Sequence, residues 1–288
     1  MYKRIGTCLI AFMLIWMSLA QSTLAQARKK DAPSDPSSGW TIELFHQAIK
    51  EKNPQYKGNA QCNIEEGEVT IADLSPADIT DFSFLQSMKK LQILDLRGLP
   101  IEDLGILKDL PLTILGLEDT NVRDISPLAG MKLERLYLNN TRVKDISPLV
   151  GMPLVMLNIF GTAVEDVKPL STLKDLESLW LNHTPVSDIS PLSTCPLISL
   201  TIEGTQVSDL RPLAEITSLV RLHIGDTPVS DLTPLEGLKL TRLIFAPDRI
   251  NTGVDTIRDM STITELGTTF ENRMPPQAFW QLYEEGKL

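Results

Sequence analysis

Cysteine, histidine and aromatic residues are scarce in this chain. Its 288 residues include three cysteines and three histidines, and only 6% of them are aromatic. Cys8 falls in an N-terminal apolar run, which leaves Cys62 and Cys195 more than a hundred residues apart. If the chain between them is rigid, they lie beyond the roughly 4.4–6.8 Å Cα separation that a disulfide needs. We therefore expect packing, not disulfides, to stabilise the fold, with Cys195 buried as a small apolar residue.

Recognisable catalytic motifs are also missing. The sequence contains no G-x-S-x-G, no H-E-x-x-H, no P-loop and no paired C-x-x-C. Only three histidines are present, at positions 46, 183 and 223, and a lone cysteine with a distant histidine is a weak signal of a nucleophile. We expect no catalytic residues, no metal site and no cofactor, and hence a protein that is not an enzyme.

Positive charge is the minority sign. The formal net charge is −10, and it becomes −12 if residues 1–27, which hold two basic residues and no acidic ones, are removed. Such a balance argues against nucleic acid or an anionic membrane surface as the partner.

The N-terminus has the composition of a secretory signal peptide. Lys3 and Arg4 precede an apolar run over 5–20, and "AQA" at 25–27 is a small-x-small cleavage pattern. The run is shorter than the roughly 20 residues that span a bilayer, and no second apolar run follows. We predict a signal peptide over 1–27 and a soluble exported protein, periplasmic or extracellular. Cleavage after Ala20, cleavage after Ala27 and retention as an anchor all remain open.

Two further segments precede the main body of the chain. Residues 28–39 are polar and rich in proline and serine, which is typical of a disordered leader. Residues 40–68 are predicted to form an N-terminal cap with one helix, starting at the N-cap Thr41 and ending at Asn53-Pro54. The stretch "IEEGE" at 64–68 is interpreted as a solvated turn.

Internal repetition dominates residues 69–266. An L-x-x-L-x-(L/I) pattern recurs every 21 or 22 residues, with "VTIADL" at 69 and "ITELGT" at 263 as degraded terminal copies. The other copies are "LQILDL" at 91, "LTILGL" at 112, "LERLYL" at 133, "LVMLNI" at 154, "LESLWL" at 176, "LISLTI" at 197, "LVRLHI" at 219 and "LTRLIF" at 240. Most copies are followed by a threonine and then by a block such as "DISPL".

This pattern resembles the bacterial leucine-rich repeats of the short, internalin-like class, with threonine where that family usually has asparagine. The resemblance implies a curved solenoid with a parallel sheet on its concave side and, most commonly, protein recognition. The constant repeat length leads to the same fold, because short strands repeated at a constant period stack in parallel. We predict an α/β solenoid of about eight to nine repeats, with 3-10 or helical turns on the convex side. The N-terminal cap and a C-terminal cap over 267–288 would cover its ends.

The "DISPL" block is interpreted as a structural turn. We expect Ser147 to be an N-cap, Pro148 to start a helical turn and Leu149 to pack in the core. Asp145 is a second candidate to accept backbone N–H groups there. A cation-binding row of the recurrent aspartates is disfavoured, because each repeat supplies one carboxylate and no loop glycine of a calcium site.

Function is predicted on the concave face. Residues between and just after the strand leucines point out of the core and form three ladders. Aromatic residues, Met and asparagine cluster there beside a basic patch, which is typical of interface hot spots. The candidate binding residues are Arg135, Tyr137, Asn139, Met156, Asn158, Phe160, Trp180, Asn182, Arg221, His223 and Arg242. Cross-strand packing of the same aromatic residues is the competing explanation.

The sequence therefore favours a monomeric, non-catalytic module that binds an unidentified protein or peptide. A glycan-binding module of the envelope or matrix is the alternative, with aromatic rings stacking on sugars and asparagines bonding hydroxyls.

Overall fold

A computed structural model describes residues 39–288. The predicted signal peptide and nearly all of the predicted leader lie outside the described residues. Within 39–288, eleven strands form one sheet in chain order. The strands are β1 (Gln61–Glu65), β2 (Glu68–Asp73), β3 (Ile93–Asp95), β4 (Ile114–Gly116), β5 (Arg135–Tyr137), β6 (Met156–Asn158), β7 (Ser178–Trp180), β8 (Ser199–Thr201), β9 (Arg221–His223), β10 (Arg242–Ile244) and β11 (Glu265–Gly267).

Strands β2 to β11 run parallel, and β1 pairs antiparallel with β2. Every leucine-pattern copy, including the two degraded ones, therefore forms a strand, and the predicted solenoid is confirmed. Short 3-10 helices alternate with the strands on the convex side. They span Ser83–Ser87, Gly105–Leu107, Ser126–Leu128, Ser147–Leu149, Lys168–Thr172, Ser190–Thr194, Arg211–Glu215, Thr233–Leu235 and Pro247–Arg249.

Helices lie towards the two ends of the array. Helix α1 (Ile42–Lys52) begins at Thr41, whose side chain accepts a hydrogen bond from the Leu44 N–H, and buries Phe45 and Ile49. Helices α2 (Val254–Arg258) and α3 (Pro276–Glu284) lie at the C-terminal end, where Phe279 is fully buried 5.5 Å from the Phe245 ring. The helices thus bury aromatic residues against the end repeats. None of the helices in residues 39–288 is long and apolar enough to cross a membrane.

The N-terminal hairpin was not predicted. Residues 61–65 form strand β1, and the turn to β2 has Glu66 and Gly67 at positive φ, 53° and 76°. Two consecutive residues at positive φ are typical of a tight hairpin turn whose twist matches the flanking strands. "IEEGE" is therefore the tip of a hairpin, and its strand part covers the edge of β2.

A left-handed backbone position recurs just after strands β3 to β9. It is held by glycine or by asparagine, aspartate or histidine, the side chains that tolerate this conformation best. The residues are Gly98, Asp119, Asn140, Gly161, His183, Gly204 and Asp226, with φ between 51° and 70°. The next residue in most copies is the recurrent threonine, whose hydroxyl donates to a strand carbonyl three residues earlier, as Thr141 does to Leu138 at 2.6 Å. Threonine thus bonds the backbone at the position where the internalin-like pattern has asparagine.

The aspartate of the "DISPL" block caps the 3-10 helix. The Asp145 carboxylate accepts hydrogen bonds from the N–H of Ser147 at 2.8 Å and from its hydroxyl at 2.9 Å. Ser147 was the predicted N-cap, but its side chain bonds Asp145, so that assignment was wrong. In the other repeats, the backbone N–H two residues later donates in the same way to the carboxylates of Asp124, Asp166, Asp188, Asp209 and Asp231.

Candidate functional site

The three predicted ladders are in register across the sheet. Arg135 pairs with Met156, Met156 with Ser178 and Tyr137 with Asn158. The leucines between them are fully buried in the core, so the ladder side chains lie on the opposite, concave face.

Several of these residues are nevertheless buried, contrary to the expectation of open exposure. The exposed fractions are 5% for Tyr137, 7% for Asn139, 9% for Asn158, 6% for Asn182 and 6% for His223. Strands lie only about 4.8 Å apart, so large side chains on one face cover their neighbours on the next strand. Met156, Phe160, Trp180, Arg135 and Arg242 are half-buried, and Arg221 is exposed.

Tyr137 is buried within the concave face. Its hydroxyl donates to the Met156 sulfur at 3.1 Å, and burial raises the pKa of Tyr137 to about 12. Packing against the neighbouring strand is therefore sufficient to explain why position 137 holds an aromatic residue. A partner would therefore meet the half-buried Met156 side chain above it.

Phe160 and Asn158 also make local contacts. The Phe160 ring meets His183 edge-on, with centroids 5.3 Å apart, and the Phe160 N–H donates to the Asn158 side-chain oxygen at 3.0 Å. The Asn158 side-chain oxygen therefore already accepts a hydrogen bond from the backbone just after its own strand.

Asn182, Glu203 and His223 form a connected group. The Asn182 amide donates to Glu203 Oε2 at 3.0 Å, which fixes its orientation, and His223 Nδ1 lies 3.9 Å from the same oxygen. Burial lowers the pKa of His223, although the Glu203 carboxylate opposes the shift. Burial thus favours the neutral form of His223.

Arg221 and Arg242 of the predicted basic patch lie side by side on strands β9 and β10, and His223 is two residues further along β9. Arg242 is ion-paired with Glu265 on β11, which Arg273 also contacts at 3.4 Å. Arg221 is exposed, whereas Arg242 is half-buried. The ladders, which ended at β10, did not include the Glu265 carboxylate that β11 brings beside Arg242.

Unpaired polar atoms mark the concave face. Within residues 39–288, four buried side-chain atoms lack a hydrogen-bond partner: Glu118 Oε2, Asn139 Oδ1, Asn182 Oδ1 and His223 Nε2. All four belong to residues that lie at the end of a strand or two residues after it. A buried polar group without a partner costs about 1–3 kcal/mol, so a surface that holds four of them is suited to a ligand that completes their bonds.

An acidic group near the N-terminal cap was missed by sequence reasoning. Asp95 is fully buried and makes a bidentate ion pair with Arg97, at 2.6–3.0 Å, and Glu118 lies beside it. Burial and the Asp95 charge raise the pKa of Glu118 to about 8. The signal was present in the ladders, as an aspartate and a glutamate on adjacent strands, but aromatic content drew attention to β5–β7.

Neither of the two cysteines in residues 39–288 is in a disulfide. Cys195 is buried, its thiol donates to the Leu170 carbonyl at 3.2 Å, and burial raises its pKa. Burial likewise raises the pKa of Cys62 to about 11. Among the described residues, no group of three or more His, Cys, Asp or Glu side chains is arranged to hold a metal ion.

No protein-family model and no curated protein sequence matches the chain. Solved structures do match it. Internalin inlF of Listeria monocytogenes is 24% identical, with a TM-score of 0.59 over 81% of this chain and 78% of that one. Internalin C2 of the same organism is 23% identical, with a TM-score of 0.61 over 74% of this chain and 100% of that one.

A plant receptor has a similar solenoid. RGFR1, a plant peptide hormone receptor in complex with RGF2, is 18% identical, with a TM-score of 0.52 over 72% of this chain and 36% of that one. At these identities the likeness concerns the fold. The chain therefore has a leucine-rich-repeat solenoid of the internalin type, as its repeat pattern predicted.

Proposed function

We propose that the protein is an exported, non-catalytic recognition module that binds a protein or peptide through its concave face. The unpaired buried polar atoms on that face are the main support, because hydrogen bonds from a ligand would remove their cost. The fold adds support, since internalins and a receptor seen in complex with a peptide hormone share it. Export rests on the apolar N-terminal segment, and we propose a monomer that is periplasmic or extracellular.

The contact region includes the half-buried Met156, Phe160 and Trp180 and the exposed Arg221. Large apolar side chains with an arginine nearby supply most of the energy in many interfaces. Tyr137 and Asn139 would act from beneath this layer, by positioning Met156 and by offering an unpaired acceptor.

Two arginines provide a matched test. Arg221 is exposed on strand β9, and Arg211 is exposed at the start of a convex 3-10 helix. We expect affinity capture from the source organism's envelope and medium to recover a partner with the wild type and with Arg211→Ala. Arg221→Ala combined with Trp180→Ala should lose it. Equal recovery by the concave double variant, with its circular dichroism unchanged, would refute concave-face binding.

Glycan binding is the second candidate. Trp180 is half-buried on the concave face, and an indole ring is a side chain that can stack on a sugar. The asparagines favour it less, since Asn158 accepts from Phe160 and Asn182 donates to Glu203. A glycan array with the purified protein separates the two, because signal on sugars that disappears in Trp180→Ala would favour the glycan.

A further inference from the structure

Three isoleucines form an apolar strip at the N-terminal end of the concave face. Ile71 on β2 pairs with Ile93 on β3, which pairs with Ile114 on β4. All three are half-buried, whereas the leucines beside them, Leu94 and Leu115, point into the core and are fully buried. At about 4.8 Å per strand, the isoleucine strip extends roughly 10 Å across the sheet.

Carboxylates flank this isoleucine strip. Asp73 pairs with Asp95 two residues further along the same strands, so both lie on the same face as the isoleucines. Glu118 follows β4 on the next repeat. We call Asp73, Asp95 and Glu118 the acidic row. Arg97 is ion-paired with Asp95 and offsets one of the three negative charges. The acidic row therefore keeps a net negative charge when its carboxylates are ionised.

Glu118 and Asp95 approach each other above Gly116. A Cβ at position 116 would lie 2.9 Å from Glu118 Oε2 and 3.1 Å from Asp95 Oδ1, so only glycine leaves room for the two carboxylates. Glu118 Oε2 is buried without a partner. On the adjacent strand end, Asn139 Oδ1 is a second unpaired acceptor in a residue that is 7% exposed.

These unpaired atoms have a common requirement. When the Glu118 carboxyl is ionised, both atoms are acceptors and need hydrogen-bond donors, and the Glu118 carboxylate lies next to that of Asp95. An ammonium or guanidinium group supplies several donors and a compensating positive charge. Water alone would supply donors but no charge.

We propose that the isoleucine strip and the acidic row together bind a partner segment that presents apolar residues on one side and lysine or arginine on the other. The proposal rests on the proposed concave-face function and names the chemistry of its ligand. The apolar residues would cover Ile71, Ile93 and Ile114, and the cation would bond Glu118 and Asn139. Acidic peptides and anionic lipid surfaces are disfavoured, since the acidic row repels them.

The test uses isoleucine methyl NMR of the full chain with three synthetic peptides of equal length. One combines leucine and lysine, one leucine and glutamate, and one serine and lysine. We expect only the leucine–lysine peptide to shift the methyl signals of Ile71, Ile93 and Ile114. The signals of the buried Ile202 and Ile224, on distant repeats, should not shift. Added salt should weaken the binding.

Glu118→Gln is the informative variant, because it keeps the shape and removes the charge. At about pH 9, above the raised pKa of Glu118 of about 8, the variant should weaken binding of the leucine–lysine peptide by about tenfold, as expected for loss of a close charge pair. The exposed convex Glu236→Gln should bind like the wild type. An unchanged spectrum of the other isoleucines would show that the variants are folded.

Two results would overturn the proposal. The first is an absence of methyl shifts, or equal shifts with the leucine–glutamate peptide. The second is binding that moves Met156 and Trp180 signals while Ile71, Ile93 and Ile114 stay in place. This second result would leave the proposed concave-face function standing and remove only the assignment of the isoleucine strip.

Discussion

The carboxylate of Asp145 accepts a hydrogen bond from the backbone N–H of Ser147, two residues later, at 2.8 Å. This bond holds the chain as it enters the 3-10 helix Ser147–Leu149, and its equivalents recur in the neighbouring repeats. The backbone and hydroxyl donors of Ser147 lower the pKa of Asp145. The aspartate of the repeated block is therefore a capping residue.

Asp145→Ala should lower the urea midpoint, and Asp145→Asn, which keeps an acceptor oxygen, should restore most of the loss. A carboxylate whose folded pKa is depressed stabilises the fold above its unfolded pKa of about 3.9 and loses this effect as the pH falls through the folded value. The gap between wild type and Asp145→Ala should therefore close in acid. A gap that is unchanged in acid would mean that the cap does not depend on the carboxylate charge.

Leu149 and Pro148 differ in what they contribute to the same turn. Leu149 is fully buried, so Leu149→Ala should lower the free energy of unfolding by roughly 2–5 kcal/mol. Pro148→Ala should cost no more than about 1 kcal/mol, because it mainly loosens the unfolded chain. Urea titration of both variants measures the order, and a larger cost for Pro148→Ala would contradict this assignment of the core residue.

Thr141→Val should cost about 0.5–1.5 kcal/mol, because it removes a buried hydrogen bond from the hydroxyl to the Leu138 carbonyl while keeping the shape. The low end of that range is expected, since the Leu138 carbonyl also accepts from the Thr141 N–H at 3.1 Å. Thermal or urea unfolding measures it, with Thr141→Ser, which keeps the hydroxyl, as the control. A stabilised Thr141→Val variant would refute this role of the hydroxyl.

Glu118 should make the fold less stable as the pH rises. Burial, and then the Asp95 charge, raise its folded pKa to about 8, while its unfolded pKa is about 4.3. The folded state therefore keeps a proton that the unfolded state has lost, and stability falls between these two values by less than about 1.4 kcal/mol per pH unit. The Arg97 charge opposes the shift, and Asp119 adds to it.

Glu118→Gln should remove this pH dependence. Urea midpoints of wild type and variant should be similar in mild acid, and the variant should be the more stable above the folded pKa. Equal slopes for the two proteins across that interval would show that Glu118 is ionised in the folded state at neutral pH.

The solenoid was predictable because the signal is repeated. Each leucine is a weak indication alone, but constant spacing requires neighbouring repeats to bury one another's leucines. The hairpin at 61–65 was missed because it occurs once, and its turn has Glu66-Gly67 where asparagine–glycine would have been recognised. Ser147 was predicted as the N-cap because serine suits that position. Asp145, the other predicted acceptor, is the residue that bonds the backbone of the turn, by accepting from the Ser147 N–H.

The sequence by itself determined the repeat, the strand register and the face on which each ladder residue lies, because the alternation of side chains is a local property of the chain. Only the tertiary structure decided which of those residues are accessible. Tyr137, Asn139 and His223 are buried, and Arg242 shares the Glu265 carboxylate on β11 with Arg273. Accessibility and charge depend on what neighbouring strands bring alongside, and a single repeat does not contain that information.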